Sequence, residues 1–143
     1  MDFAQLLREV QEGGGSAGPE EAEALVVSVL RAMAEVLPQD QLESLAAQLP
    51  PEAALYLRRP GQAPDPLFDS HLFLGWVVSS LDATGSRDKT VGGLDLTTVY
   101  SGDEAIRRCR CVFSVLKRAV DERHHQPLAA SLPDEVSLWF AEA

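Results

Sequence analysis

"LAAQLPPEAALYL" occupies residues 45–57 and "LAASLPDEVSLWF" residues 128–140 of a 143-residue chain, and seven of the thirteen aligned positions are identical. In both copies a Leu-Pro pair interrupts a helical pattern. A residue that precedes proline is pushed out of the helical region, so one helix must end at Leu49 or Leu132. Acidic residues then follow in the first turn of a new helix, where they complement the dipole. Beyond the bend, Leu49, Ala53, Tyr56 and Leu57 recur at helical spacing, as do Leu132, Val136, Trp139 and Phe140. The repeated phrase is therefore architectural: it bends the chain between two helices and docks the second by an apolar face.

Working outward, an offset of 83 also pairs Glu21 with Glu104, Ala22 with Ala105, Val26 with Cys109, Val29 with Val112, Leu30 with Phe113 and Met33 with Leu116. Further upstream the offset falls to 67, where Leu6, Leu7 and Val10 meet Phe73, Leu74 and Val77, so the second copy carries sixteen extra residues between its first two helices. The first copy predicts helices over about 2–12, 19–36, 38–48 and 50–58, with prolines where a missing N–H costs little. Ala22, Val26, Val29, Leu30, Met33 and Leu37 form one apolar stripe on the second of these. Its counterpart starts at "SGDE", where Ser101 and Glu104 suit a capping box, and carries the stripe Ile106, Cys109, Val112, Phe113, Leu116 and Val120.

The expected fold is all-α: two tandem, structurally related four-helix repeats packed into one compact domain. Repeat one spans 1–58, a Pro-rich connector 59–67 and repeat two 68–143, with a non-helical insertion at about 79–100. Within that insertion "KTVGGLDLTTVY" could turn a short hairpin at Gly92-Gly93.

The "MDFAQLLREV" opening, the "EEAEALVVSVLRAMAEVL" helix and the "LAAQLP" that follows it resemble the bacterial domain of unknown function 2267 family over nearly the whole chain. The resemblance implies an all-helical fold of related halves. It supplies no activity and no catalytic residues, and the insertion departs from the family's usual short connection.

Composition narrows the function classes. The chain is 45% apolar with a net charge of −10 and a pI near 4.6, a field that repels polyphosphate and speaks against nucleic acid as a partner. Its apolar runs are too short for a membrane span, and no leader pattern opens the chain, so neither membrane insertion nor secretion is expected. Two cysteines, Cys109 and Cys111, lie on different sides of one helix and cannot bridge, which fits a reduced, cytoplasmic setting.

No catalytic, cofactor or metal motif emerges. Cys109 and Cys111 lack the partner ligands of a zinc site. His124 and His125 follow a basic helix, where they suit its C-terminal dipole, and His71 stands alone. "DATGSRDKT" lacks the EF-hand frame, "GGGSAG" lacks the P-loop lysine, and no nucleophile elbow marks a triad.

Charge offers more. Residues 1–66 hold 11 acidic against 4 basic side chains, and residues 67–143 hold 11 against 8. Arg107, Arg110, Ser114, Lys117 and Arg118 line the face of their helix opposite the apolar stripe, and Arg87 and Lys89 stand in the insertion. These six cations are the candidate partner-binding residues, for an acidic protein or for the acidic half of a second copy in a homodimer. The plainer reading is a solvated helix face neutralised by neighbouring acids. The function expected is a non-enzymatic protein-interaction or adaptor module without cofactor. The alternative is a small-molecule binder or weak enzyme with a pocket between the repeats, walled by Phe73, Trp76, Trp139 and Phe140.

Overall fold

The computed structural model describes residues 1–14, 18–59, 64–83 and 103–143. Of these, 81% are helical, in eight helices and with no strand. Before the connector come α1 (Phe3–Glu12), α2 (Pro19–Val36), α3 (Gln39–Gln48) and a short α4 (Pro51–Ala54) that tightens into a 3₁₀ turn over Leu55–Leu57. After it come α5 (Ser70–Ala83), α6 (Asp103–Ala119), α7 (His125–Ser131), entered through a 3₁₀ turn at Glu122–His124, and α8 (Asp134–Glu142). The all-α expectation holds. Residues 79–83, expected within the insertion, instead continue α5. The possible hairpin, Arg87, Lys89 and the Ser101 cap lie outside the described residues, as do residues 60–63 of the connector.

The two Leu-Pro bends have the same backbone. Leu49 and Leu132 sit at φ/ψ of −98°/161° and −85°/154°, and Pro50 and Pro133 at −56°/150° and −55°/154°. Each leucine N–H still closes the preceding helix, on the carbonyls of Leu45 and Ala129, while its ψ has already turned extended. Leu37, before Pro38, ends α2 in the same way at −81°/143°. Around the bends every fourth residue is buried: Leu45, Leu49, Ala53 and Leu57 in one copy, Leu128, Leu132, Val136 and Phe140 in the other.

α2 is the central element. Pro19 opens it and Glu20 and Glu21 occupy its first turn, as its macrodipole favours. All six stripe residues are fully buried, but so are Leu25 and Ala32, and Ser28, Ala34 and Val36 are nearly so. The extra burial comes from the other half of the chain, because α5 lies along α2 while α1, α6 and the Leu55–Leu57 turn cover its remaining sides. Ser28 Oγ donates to the Trp76 carbonyl of α5 at 2.8 Å. The end of α2 is capped by the connector: Arg59 Nη1 donates to the Ala34 and Leu37 carbonyls at 2.7 and 2.6 Å, and the Asp65 N–H to that of Glu35 at 2.8 Å.

A chain of rings crosses the core. Phe68 packs on Phe73 at 6.5 Å between centroids, Phe73 on Phe113 at 6.1 Å and Phe113 on Phe140 at 5.3 Å, which links the segment just before α5 with α5, α6 and α8. These spacings fall in the favourable range for tilted and edge-on pairs.

Candidate functional site

The sequence points first to the α6 cations, and packing gives each of them a partner. Arg107, half exposed, donates to the Glu104 carboxylate at 2.6 and 3.1 Å and to the Gly14 carbonyl at 2.8 Å. Arg110 pairs with Glu142 of α8 at 3.3 Å, and Arg118 with Glu9 of α1 at 3.1 Å. Lys117 Nζ donates to the Phe140 and Ala143 carbonyls at 3.0 and 3.2 Å, closing the end of α8. All four described cations thus have partners within the chain, on α1, α6 or α8.

Sequence reasoning missed Arg108. It is only 8% exposed, pairs with Glu21 of α2 and donates to Glu104 at 3.1 Å. Glu21 and Glu104, which the offset of 83 aligns, converge on this one guanidinium across the seam between the halves. The available signal was an arginine four residues after an acid, at a position beside the apolar stripe. Hydrogen bonds from Arg107 hold the Glu104 carboxyl down, from its ordinary 4.5 to about 2, against the opposing effect of burial and with further help from Arg108.

Cys109 is fully buried in the core, and burial pushes its thiol up to about 12. Cys111 is half-buried against α1, where its Sγ donates to the Val10 carbonyl at 3.4 Å. A Cβ on Gly13 would stand 2.9 Å from that sulfur, so α1 and α6 approach this closely only with glycine there. Native protein treated with iodoacetamide at pH 8 should therefore be alkylated at Cys111 at least tenfold faster than at Cys109, whose thiolate is scarce and shielded. Equal rates by peptide mass spectrometry would contradict the placement.

His125 caps α6 as expected of its position, with Nε2 2.9 and 3.0 Å from the Lys117 and Val120 carbonyls. His124 turns elsewhere. Its Nδ1 lies 3.3 Å from Ser44 Oγ on α3, in the wall of a cavity of about 230 Å³ between the two halves. Asp40, Gln41, Gln48, Val120 and Leu128 also line it. Gln48 bridges the seam, its Oε1 accepting from the Asp121 N–H at 2.8 Å, and Gln41 Oε1 is buried with no partner among the described residues. The four aromatic residues expected to wall a pocket stand elsewhere: Phe73, Trp139 and Phe140 are buried in the core, and Trp76 reaches the surface.

Trp76 is 39% exposed and forms part of two adjoining grooves, of about 330 and 440 Å³, which share it and Arg31. One groove adds Leu55, Tyr56, Arg58 and Glu35, the other Val27, Ser28 and Ser79. Phe68 braces the indole edge-on at 5.0 Å, and the Arg31 guanidinium stacks 5.4 Å over the Tyr56 ring. Leu72, one turn before Trp76 on α5, is exposed as well. Among the described residues neither Arg31 nor Arg58 enters an ion pair, unlike Arg107, Arg110 and Arg118 of α6.

Among the described residues no group of three or more His, Cys, Asp and Glu side chains could hold a metal ion, and no helix is long and apolar enough to cross a membrane. No curated protein matches the chain. Residues 3–139 do match a family described as "Uncharacterized conserved protein (DUF2267)". With nearly its whole length covered by that match, this all-helical chain belongs to the DUF2267 family.

Proposed function

We propose that the chain is a non-enzymatic module that binds another protein through its Trp76 face, and that the bound segment is acidic with an apolar anchor. The observation that carries this is an exposed tryptophan that lines one groove together with two arginines, Arg31 and Arg58, neither of which enters an ion pair among the described residues. Trp, Tyr and Arg are the residues on which interface energy concentrates, and Trp76, Tyr56, Arg31 and Arg58 stand together around the paired grooves. In a chain of net charge −10 such a patch favours an acidic segment over a basic one. In this reading Arg107, Arg110, Lys117 and Arg118 hold α1 and α8 against α6. The two halves are taken as fused, related repeats, supported by the shared order of helices and the matching dihedral angles at Leu49 and Leu132.

A random peptide library displayed on phage tests the proposal. Selected sequences should combine Asp or Glu with Leu, Phe or Trp. Trp76→Ala should weaken the best of them about thirtyfold, close to 2 kcal/mol, and Arg31→Glu should weaken it further. Leu138→Ala, an exposed change on α8, should leave binding as it was. Peptides that bind Trp76→Ala as tightly as the unaltered chain would reject the Trp76 face.

A further inference from the structure

The cavity between α3 and the corner where α6 meets α7 is a site of another kind, independent of protein docking at Trp76. We propose that it binds a small aliphatic ammonium ion. No lysine or arginine lines it, whereas the Asp40 carboxylate does, so an anion entering would meet a like charge and no counter-charge. The positive end of α3 does not reverse this, because Asp40, in its first turn, already occupies it.

Two acceptors of the wall stand without a donor among the described residues. Gln48 is engaged at both ends of its amide: its Nε2 donates to the Ser44 carbonyl at 3.2 Å and its Oε1 accepts from the Asp121 N–H at 2.8 Å. Ser44 Oγ and His124 Nδ1 share one contact. The carboxylate of Asp40 and the partnerless Oε1 of Gln41 remain, both acceptors. An ammonium group brings three donors and a positive charge, which answers both. Leu45, Val120, Pro127 and Leu128 supply an apolar wall for a short hydrocarbon tail. At about 230 Å³ the space is smaller than the cavities that hold drug-sized molecules and suits a chain of roughly four to six carbons.

Titration of the isotope-labelled full chain, followed by backbone amide NMR, tests this with n-butylammonium, n-butyrate and n-butanol. Butylammonium should give saturable shifts centred on Gln41, Ser44 and His124, and should bind at least tenfold tighter than either of the others. Asp40→Asn keeps a good residue at an exposed position near a helix start, so the fold is retained, and it should weaken butylammonium at least tenfold. Gln41→Leu removes the partnerless oxygen and should weaken it severalfold without lowering the melting temperature. Comparing butylammonium with Nα-acetyl-lysine methylamide separates the sources: tighter binding of the first marks a free amine, of the second a lysine side chain, and both support the site. Equal affinity for butyrate or butanol, or an Asp40→Asn protein that binds butylammonium unchanged, would overturn it.

Discussion

Phe113→Ala should lower the stability of the protein by about 3–5 kcal/mol, the range for removing a fully buried aromatic side chain. Phe113 is 0% exposed, and its ring contacts Phe73 of α5 on one side and Phe140 of α8 on the other. Truncation removes apolar surface that water never reaches, opens a void at the meeting point of three helices, and breaks both ring contacts. Phe113→Leu should cost far less, roughly 1 kcal/mol, because a residue of similar shape refills most of the volume; leucine is also what stands at the aligned position, Leu30. Urea unfolding of the three proteins measures this. A loss under about 1 kcal/mol for the alanine variant would show that the ring is not at the junction.

Arg108→Ala has the second largest expected effect, about 2–4 kcal/mol. Removing one partner of a buried pair usually costs 3–5 kcal/mol, because the remaining charge is left uncompensated. Here water relieves part of that, since the Glu21 and Glu104 side chains are 17% and 31% exposed. Glu21→Ala combined with Arg108→Ala should cost less than the sum of the single changes, as a double-mutant cycle in urea would reveal. Additive losses would mean that the pair contributes no coupling.

The same network sets an acid response. Glu104 titrates lower in the folded chain than in the unfolded one, so its contribution is fully present above its ordinary 4.5 and is lost as the pH falls from there toward about 2. Because Arg107 is the largest cause of that depression, Arg107→Ala should flatten the loss of stability over this window more than Arg108→Ala does. Urea midpoints at pH 7, 4.5 and 3 distinguish the two.

Much of the fold was legible in the residues because the signals concerned are local. A proline forbids helix at the residue before it, an acid or a cap marks where a helix starts, and apolar residues at three-and-four spacing mark the side that faces inward. These effects act within one or two turns, which is why Leu37, Leu49 and Leu132 could be read as helix ends before any packing was known. The last helix of the first copy shows where locality stops. Expected as one helix over 50–58, it tightens into a 3₁₀ turn at Leu55–Leu57 where it packs against α2.

Partnership was not legible, since it depends on residues far apart in the chain. The stripe on α2 predicted one buried side, yet α5 arrives from the other half and buries most of the rest. The α6 cations could be read as a docking face or as one neutralised by neighbouring acids, and which acids those are, Glu9 of α1 and Glu142 of α8, depends on the packing. Arg108 takes its role only when Glu21 comes across the seam to meet it, and Asp40 and Gln41 carried no pattern at all until the α6–α7 corner closed a cavity over them. The order, ends and inward faces of most helices follow from the sequence alone, through short-range sterics and hydrophobic periodicity. Which charges are paired, which aromatic ring reaches water and where a cavity lies were decided by tertiary packing, because each depends on what the other half of the chain brings alongside.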